Sequence, residues 1–265
     1  MSGLVPALAL ALALVATAAL VLGAVARGRQ RTAKLRRGLE RTSEELEHLQ
    51  QSFGRFAPQE VVERVIATGV SRSGEKKDVT VLFADLIGFT ALGESLDPDV
   101  LVRLLNGYFR TMSQAVTDHR GHVSKFIGDG MLVLFGALEP NPWQANDAAH
   151  AALAMQERLV EYNAELAAQG LGPLRVGVGI HRGPVVAGVI GSNELMEFTV
   201  IGSTVNLAAR VEHLTRELGV DILVTSATAD KLDPRFRLRE LPATPVRGVA
   251  DPVVTLSLEG FDPQR

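Results

Sequence analysis

Cysteine is absent from all 265 residues, which excludes disulfides, zinc–thiolate sites and cysteine nucleophiles. A catalytic part in the cytoplasm fits that absence. Histidine is scarce: His48, His119, His122, His150, His181 and His213 fall at no metal-ligand spacing and read as polar surface or capping residues. A basic excess is lacking too. The net charge is −3, with 27 Lys and Arg against 30 Asp and Glu. Residues 1–57 hold eight of the cations and four of the anions, which leaves 19 against 26 in the remainder, a net of −7. Such a body is not a nucleic-acid binder. Internal repeats are absent, as is low-complexity sequence beyond one apolar run.

That run, Leu4 to Ala26, carries no charge over 23 residues, enough for a helix to cross a hydrocarbon core of roughly 30 Å. No basic residue precedes it, as a signal peptide would require. Arg27, Arg29, Arg31, Lys34, Arg36 and Arg37 follow it instead. The positive-inside rule then predicts one transmembrane span in the cell (inner) membrane, with the rest of the chain in the cytoplasm.

Within 27–57, Leu35, Leu39, Thr42, Leu46, Leu49, Phe53 and Phe56 recur at alternating spacings of 4 and 3, which predicts a short coiled coil broken at Thr42. An amphipathic helix packed on the body is the alternative. Pro58 opens a short helix and linker over 58–72. From there strands and helices interleave: helices at 97–119, 143–169 and from Ser203 or Thr204, a hairpin at 122–136, two strands within 174–191, and short strands at "DILVT", "FRLREL" and "VVTLSL". This pattern predicts an α+β or α/β sheet domain over 73–260.

Two carboxylates stand out within it. In "VLFADLIGFT" (81–90) a buried-looking strand runs into Asp85, and Gly88, Phe89 and Thr90 read as a first helical turn whose free N–H groups favour an anion. In "KFIGDGMLVLFG" (125–136) Asp129 sits at a tight Gly-Asp-Gly turn. Each alone is equally a capping or turn residue. Together, two exposed carboxylates at the ends of apolar strands can hold one or two hard cations such as Mg²⁺, completed by substrate phosphates. Phosphoryl transfer is the chemistry that follows.

With "FTVIGSTVNLAAR" (198–210), these motifs resemble the catalytic domain of class III nucleotide cyclases. The lead-in "SFGRFAPQEVVERVIATG" is similar to the segment that precedes bacterial members. The resemblance covers about residues 52–260. It implies a ferredoxin-like βαββαβ core, as in polymerase palm domains, and a homodimer with active sites between subunits. By the same resemblance, Asp85, Asp129 and the carbonyl of Leu86 hold two Mg²⁺ or Mn²⁺ ions. Lys125 and Thr199 take the purine-selecting places, with Lys donating to adenine N1 where guanine asks for an acceptor. Asn206 and Arg210, one helical turn apart, take the transition-state places. Gly88, Phe89 and Thr90 would line the phosphates. A basic turn near the C-terminus keeps Arg247 in "PVRGVADP", but Val249 replaces the second basic residue and puts that polyphosphate contact in question.

The resulting expectation is a membrane-anchored adenylate cyclase that makes 3′,5′-cyclic AMP and pyrophosphate from ATP. A guanylate cyclase, a silent dimerising or nucleotide-sensing module and a tethered coiled-coil scaffold are the alternatives.

Overall fold

The computed structural model describes residues 74–192 and 196–264. The expected membrane span 4–26, the heptad segment 27–57 and the helix and linker 58–72 lie outside the described residues. Among the described residues no helix is long and apolar enough to cross a membrane.

The first strand, β1 (Glu75–Leu86), alternates its burial. Leu82, Ala84 and Leu86 enter one core and Val79 and Val81 another, the period-2 pattern of a strand covered on both faces. A short helix α1 (Phe89–Ser95) follows, then α2 (Pro98–Asp118). Asp97 caps α2 by accepting from the Asp99 N–H at 2.9 Å, with Pro98 in the first turn where no N–H is needed. Next come the hairpin β2 (His122–Ile127) and β3 (Gly130–Phe135), α3 (Gln144–Ala168) and β4 (Val176–Gly191). The chain continues through β5 (Met196–Ile201), α4 (Ser203–Leu218), β6 (Ile222–Thr225), the single turn α5 (Ser226–Ala229), β7 (Phe236–Glu240) and β8 (Thr255–Phe261).

These strands form one mixed sheet in the order β2-β3-β1-β4-β6-β8-β7, with β5 paired to β4. All pairings are antiparallel except β4 with β6. The run β1-α2-β2-β3-α3-β4 has the βαββαβ element order that the resemblance implied. Helices α2 and α3 cover one face, burying Tyr108, Met112, Met155 and Leu159 against Leu82, Val133 and Val178. Each such side chain contributes about 1.5–3 kcal/mol. A stripe of Ala145, Ala148, Ala149, Ala151 and Ala152 brings α3 down onto the sheet. On the other face Ala208 of α4 joins Val79, Val81, Val185 and Val200.

One expectation is corrected. The two strands predicted within 174–191 are a single 16-residue strand, β4. Gly183 and Pro184 read as a break, yet both sit in register against β1, Gly183 opposite Val79 and Pro184 opposite Asp78. The missing proline N–H is tolerated because the opposite edge of β4 is unpaired here among the described residues, between the β6 pairing, which ends at Ile180, and the β5 pairing, which begins at Val186, and the Pro184 carbonyl still accepts from Thr204 Oγ1 at 2.7 Å.

Helix α4 lies close to β4 because Gly179 has no side chain: a Cβ there would stand 2.1 Å from the Glu212 backbone nitrogen. Gly179→Ala should therefore lift α4 from the sheet. We expect a loss of roughly 3 kcal/mol, the upper end for overpacking against backbone, read as a lower urea midpoint with an unchanged slope.

Candidate active site

The two carboxylates predicted to act together are together. Asp85 is the penultimate residue of β1, and Asp129 occupies the two-residue turn between Ile127 and Gly130, with Gly128 at φ 62°. The β1–β3 register sets Ala84 opposite Met131, which carries Asp85 up against Gly130. A Cβ on Gly130 would lie 2.9 Å from Asp85 Oδ1. The glycine is what lets the two strand ends bring their acids into one place. Burial, and then the neighbouring Asp85 carboxylate, push Asp129 above the ordinary carboxylate range.

Three residues that sequence reasoning missed complete the surroundings. Tyr108 of α2 is fully buried, and its hydroxyl has no hydrogen-bond partner. Burial first, then the charges of Asp85, Asp129 and Glu212, push it above the usual phenol range. Glu212 of α4 is buried with Oε1 likewise without a hydrogen bond, and desolvation followed by the Asp85 charge pushes it up to about 7. Arg216, one turn further along α4, pairs with Asp85 Oδ2, donates to the Leu86 carbonyl at 3.4 Å and stands 3.7 Å from Glu212 Oε1. The only signal for this pair was the i,i+4 spacing of Glu212 and Arg216 on the helix already carrying Asn206 and Arg210.

The donor set is all oxygen: two carboxylates, the Leu86 carbonyl and, nearby, the buried Tyr108 hydroxyl and Glu212 Oε1, which make no hydrogen bond. Hard divalent cations take such ligands, so these residues fit the ions that the sequence implied. Arg216 lies on two of the three proposed ligands, supplying positive charge to the same atoms.

The other predicted residues lie in separate groups. Lys125 of β2 pairs with Glu197 of β5. Thr199, two residues on, is 5 % exposed, and Ser124 Oγ donates to the Phe198 carbonyl at 3.3 Å, tying the two strands together. Asn206 is exposed and Arg210 half-buried. Arg210 lies against the 247–248 turn, where a Cβ on Gly248 would be 3.2 Å from its Nη1. Neither Arg210 nor the exposed Arg247 is ion-paired among the described residues. Gly88 and Thr90 are exposed at the start of α1, which no side chain caps, with Phe89 half-buried behind them. No hydrogen bond or ion pair among the described residues joins the carboxylate cluster to Lys125, Thr199, Asn206 or Arg210.

Residues 72–260 match the family described as the adenylate and guanylate cyclase catalytic domain. The chain belongs to that family. It is 35 % identical over 189 residues to an adenylate cyclase of Anabaena cylindrica, covering 68 % of this chain and 37 % of that protein. It is 31 % identical over 199 residues to adenylate cyclase 1 of Rhizobium meliloti, covering 74 % and 30 %. The chain thus spans about a third of the length of these curated relatives. Among solved structures, the guanylyl cyclase Cya2 superposes with a TM-score of 0.68 at 37 % identity, covering 72 % of this chain and 95 % of that one. The adenylyl cyclase CyaB from P. aeruginosa gives 0.68 at 29 % identity, covering 73 % and 99 %.

Two outcomes follow from the cluster. Arg216→Gln should tighten Mn²⁺ binding to the nucleotide-free protein by roughly fivefold, the equivalent of about 1 kcal/mol for a partly exposed ion pair, measured from the free Mn²⁺ resonance signal; weaker binding would mean the guanidinium supports the site. The Glu212 carboxyl is raised from 4.5 to about 7 on folding, so the folded state keeps a proton that the unfolded chain has released. Its contribution to stability is therefore full below pH 4.5 and disappears as pH rises through about 7. Without added metal, Glu212→Gln should flatten that fall, seen in urea midpoints at pH 5 and pH 8.

Proposed function

We propose that this chain is a membrane-anchored adenylate cyclase acting as a homodimer, converting ATP to 3′,5′-cyclic AMP and pyrophosphate. The observation that carries the choice of ATP is Lys125, an ammonium on β2 beside the strand of Thr199. It can donate to adenine N1, whereas guanine N1 carries a hydrogen of its own.

Asp85, Asp129 and the Leu86 carbonyl would hold two Mg²⁺ or Mn²⁺ ions, which when bound polarise the α-phosphoryl group and favour ionisation of the 3′-hydroxyl. Asn206 orients the ribose so that the 3′-oxygen lies in line with the α-phosphorus. As that oxygen bonds to phosphorus, the bond to the bridging oxygen breaks and pyrophosphate leaves. Arg210, permanently charged and forked, stabilises the charge that builds on the α-phosphate. Arg247 and the open turn at Gly88, Phe89 and Thr90 face the polyphosphate.

The homodimer is supported by how these residues are distributed. Carboxylates and unpaired guanidiniums occupy different parts of one chain, so a second copy is needed to oppose them. Phe126, Ile127, Met196 and Ile201 are exposed by 50, 51, 37 and 53 % on the strands that carry Lys125 and Thr199, an apolar surface suited to a partner. The anchor is the charge-free run 4–26, with the catalytic part on the cytoplasmic side.

The likeness to the guanylyl cyclase Cya2 is the observation that favours GTP instead. The full chain in detergent with Mn²⁺, offered ATP and GTP together, decides between them. We expect cyclic AMP, a loss of at least roughly 100-fold in Asp85→Ala, and a fall of about tenfold in kcat/KM for ATP in Lys125→Glu. Cyclic GMP as the main product would overturn the choice of substrate, and no turnover from a dimer that binds nucleotide would identify a silent module.

A further inference from the structure

The strand β5 places Glu197 and Thr199 on one face, two residues apart. They differ in what they offer. Thr199 is buried opposite Gly188 of β4, whereas Glu197 is half-exposed, projects from the rim and reaches the Lys125 ammonium across from β2. Ser124, next to Lys125, ties β2 to the Phe198 carbonyl between the two β5 residues. The backbone therefore holds Lys125 and Glu197 side by side. An ammonium carries three donors and a carboxylate only acceptors, so together they form a directional edge.

A purine is read along such an edge. Adenine presents an acceptor at N1 and a donor at its 6-amino group. Guanine presents the opposite order, a donor at N1 and an acceptor at O6. A fixed ammonium–carboxylate pair satisfies one order and leaves the other with donor facing donor and acceptor facing acceptor.

We propose that Glu197 is a further base-selecting residue beside Thr199: its carboxylate accepts from the adenine 6-amino group while Lys125 donates to N1. This rests on the adenylate reading above.

A positional or folding role for Glu197 would affect every purine alike, so the test uses a substrate that lacks the group Glu197 is said to touch. The full chain in detergent is given ATP, GTP and purine riboside 5′-triphosphate, which keeps N1 but has no 6-amino group. In Glu197→Ala, we expect KM for ATP to rise about tenfold, as for a lost charge-assisted hydrogen bond, with kcat changed less. For purine riboside triphosphate the rise should stay below about twofold. Glu197→Gln keeps a carbonyl acceptor and should recover most of the ATP affinity. Competition against a fluorescent ATP analogue gives the same comparison without turnover.

Equal losses for ATP and the amine-free analogue, or no change for either, would overturn the role of Glu197 while leaving the adenylate reading intact. A wild-type chain with no preference for ATP over GTP would overturn the adenylate reading itself.

Discussion

Two negative charges held in one place set the terms for the rest of this structure. Asp85 and Asp129 come from strands that are neighbours in the sheet, and Gly130 removes the one side chain that would keep them apart. Like charges brought out of water repel and are poorly solvated, an arrangement that persists only if the surrounding fold imposes it and a cation answers it. The fold imposes it through the β1–β3 ladder and the core packed beneath, where Tyr108 and Leu86 are fully or almost fully buried. Arg216 answers it from α4, reaching both the Asp85 carboxylate and the Leu86 carbonyl. Its planar fork and weak hydration suit a partly buried pairing better than an ammonium would.

The strand β4 connects this cluster to the rest of the candidate site. Residues 176–187 pair with β1, Val176 opposite Leu86, and residues 186–191 pair with β5, Gly191 opposite Met196. One continuous strand therefore links the end that presents Asp85 to the end that presents Glu197 and Thr199. The parallel pairing with β6 and the close seating of α4 at Gly179 brace it near its start. A displacement of α4 moves Arg210 and Glu212 together, since both belong to one rigid turn of the same helix.

Much of this was legible in the sequence, for identifiable reasons. Strand β1 declared itself by β-branched residues, the hairpin by glycines around Asp129, and helices α2 and α3 by their 3.6-residue period; all are local signals. Strand β4 was misread as two because Gly183 and Pro184 are turn formers taken alone, and only the unbroken ladder with β1 overrides them. The partners of the site residues were not legible at all. Arg216 meets Asp85 across 131 positions and Lys125 meets Glu197 across 72, and no periodicity in one sequence encodes contacts at such separations. Glu197 was hidden for a further reason: next to the motif position of Thr199 it reads as one more polar residue on a strand.

The separation of charge within one chain argues for how the site is completed. A nucleoside triphosphate with its cations is a ligand of both signs, needing carboxylates for the ions and guanidiniums for the phosphates. This chain has both, but Asp85 and Asp129 are met by Arg216, while Arg210 and Arg247 share a neighbourhood around Gly248 with no carboxylate paired to either among the described residues. Two like-charged guanidiniums left together cost free energy unless an anion occupies the space between them, and a cluster of carboxylates carries the matching cost for cations. Both costs are relieved at once if the carboxylate cluster of one copy is set opposite the arginine cluster of another, with nucleotide and ions between. Two copies related by a twofold axis do this twice, since an isologous contact that joins one cluster to its complement necessarily joins the other pair as well. The exposed apolar side chains beside Lys125 and on β5 then need no separate explanation: they lie on the strands that such a contact would cover.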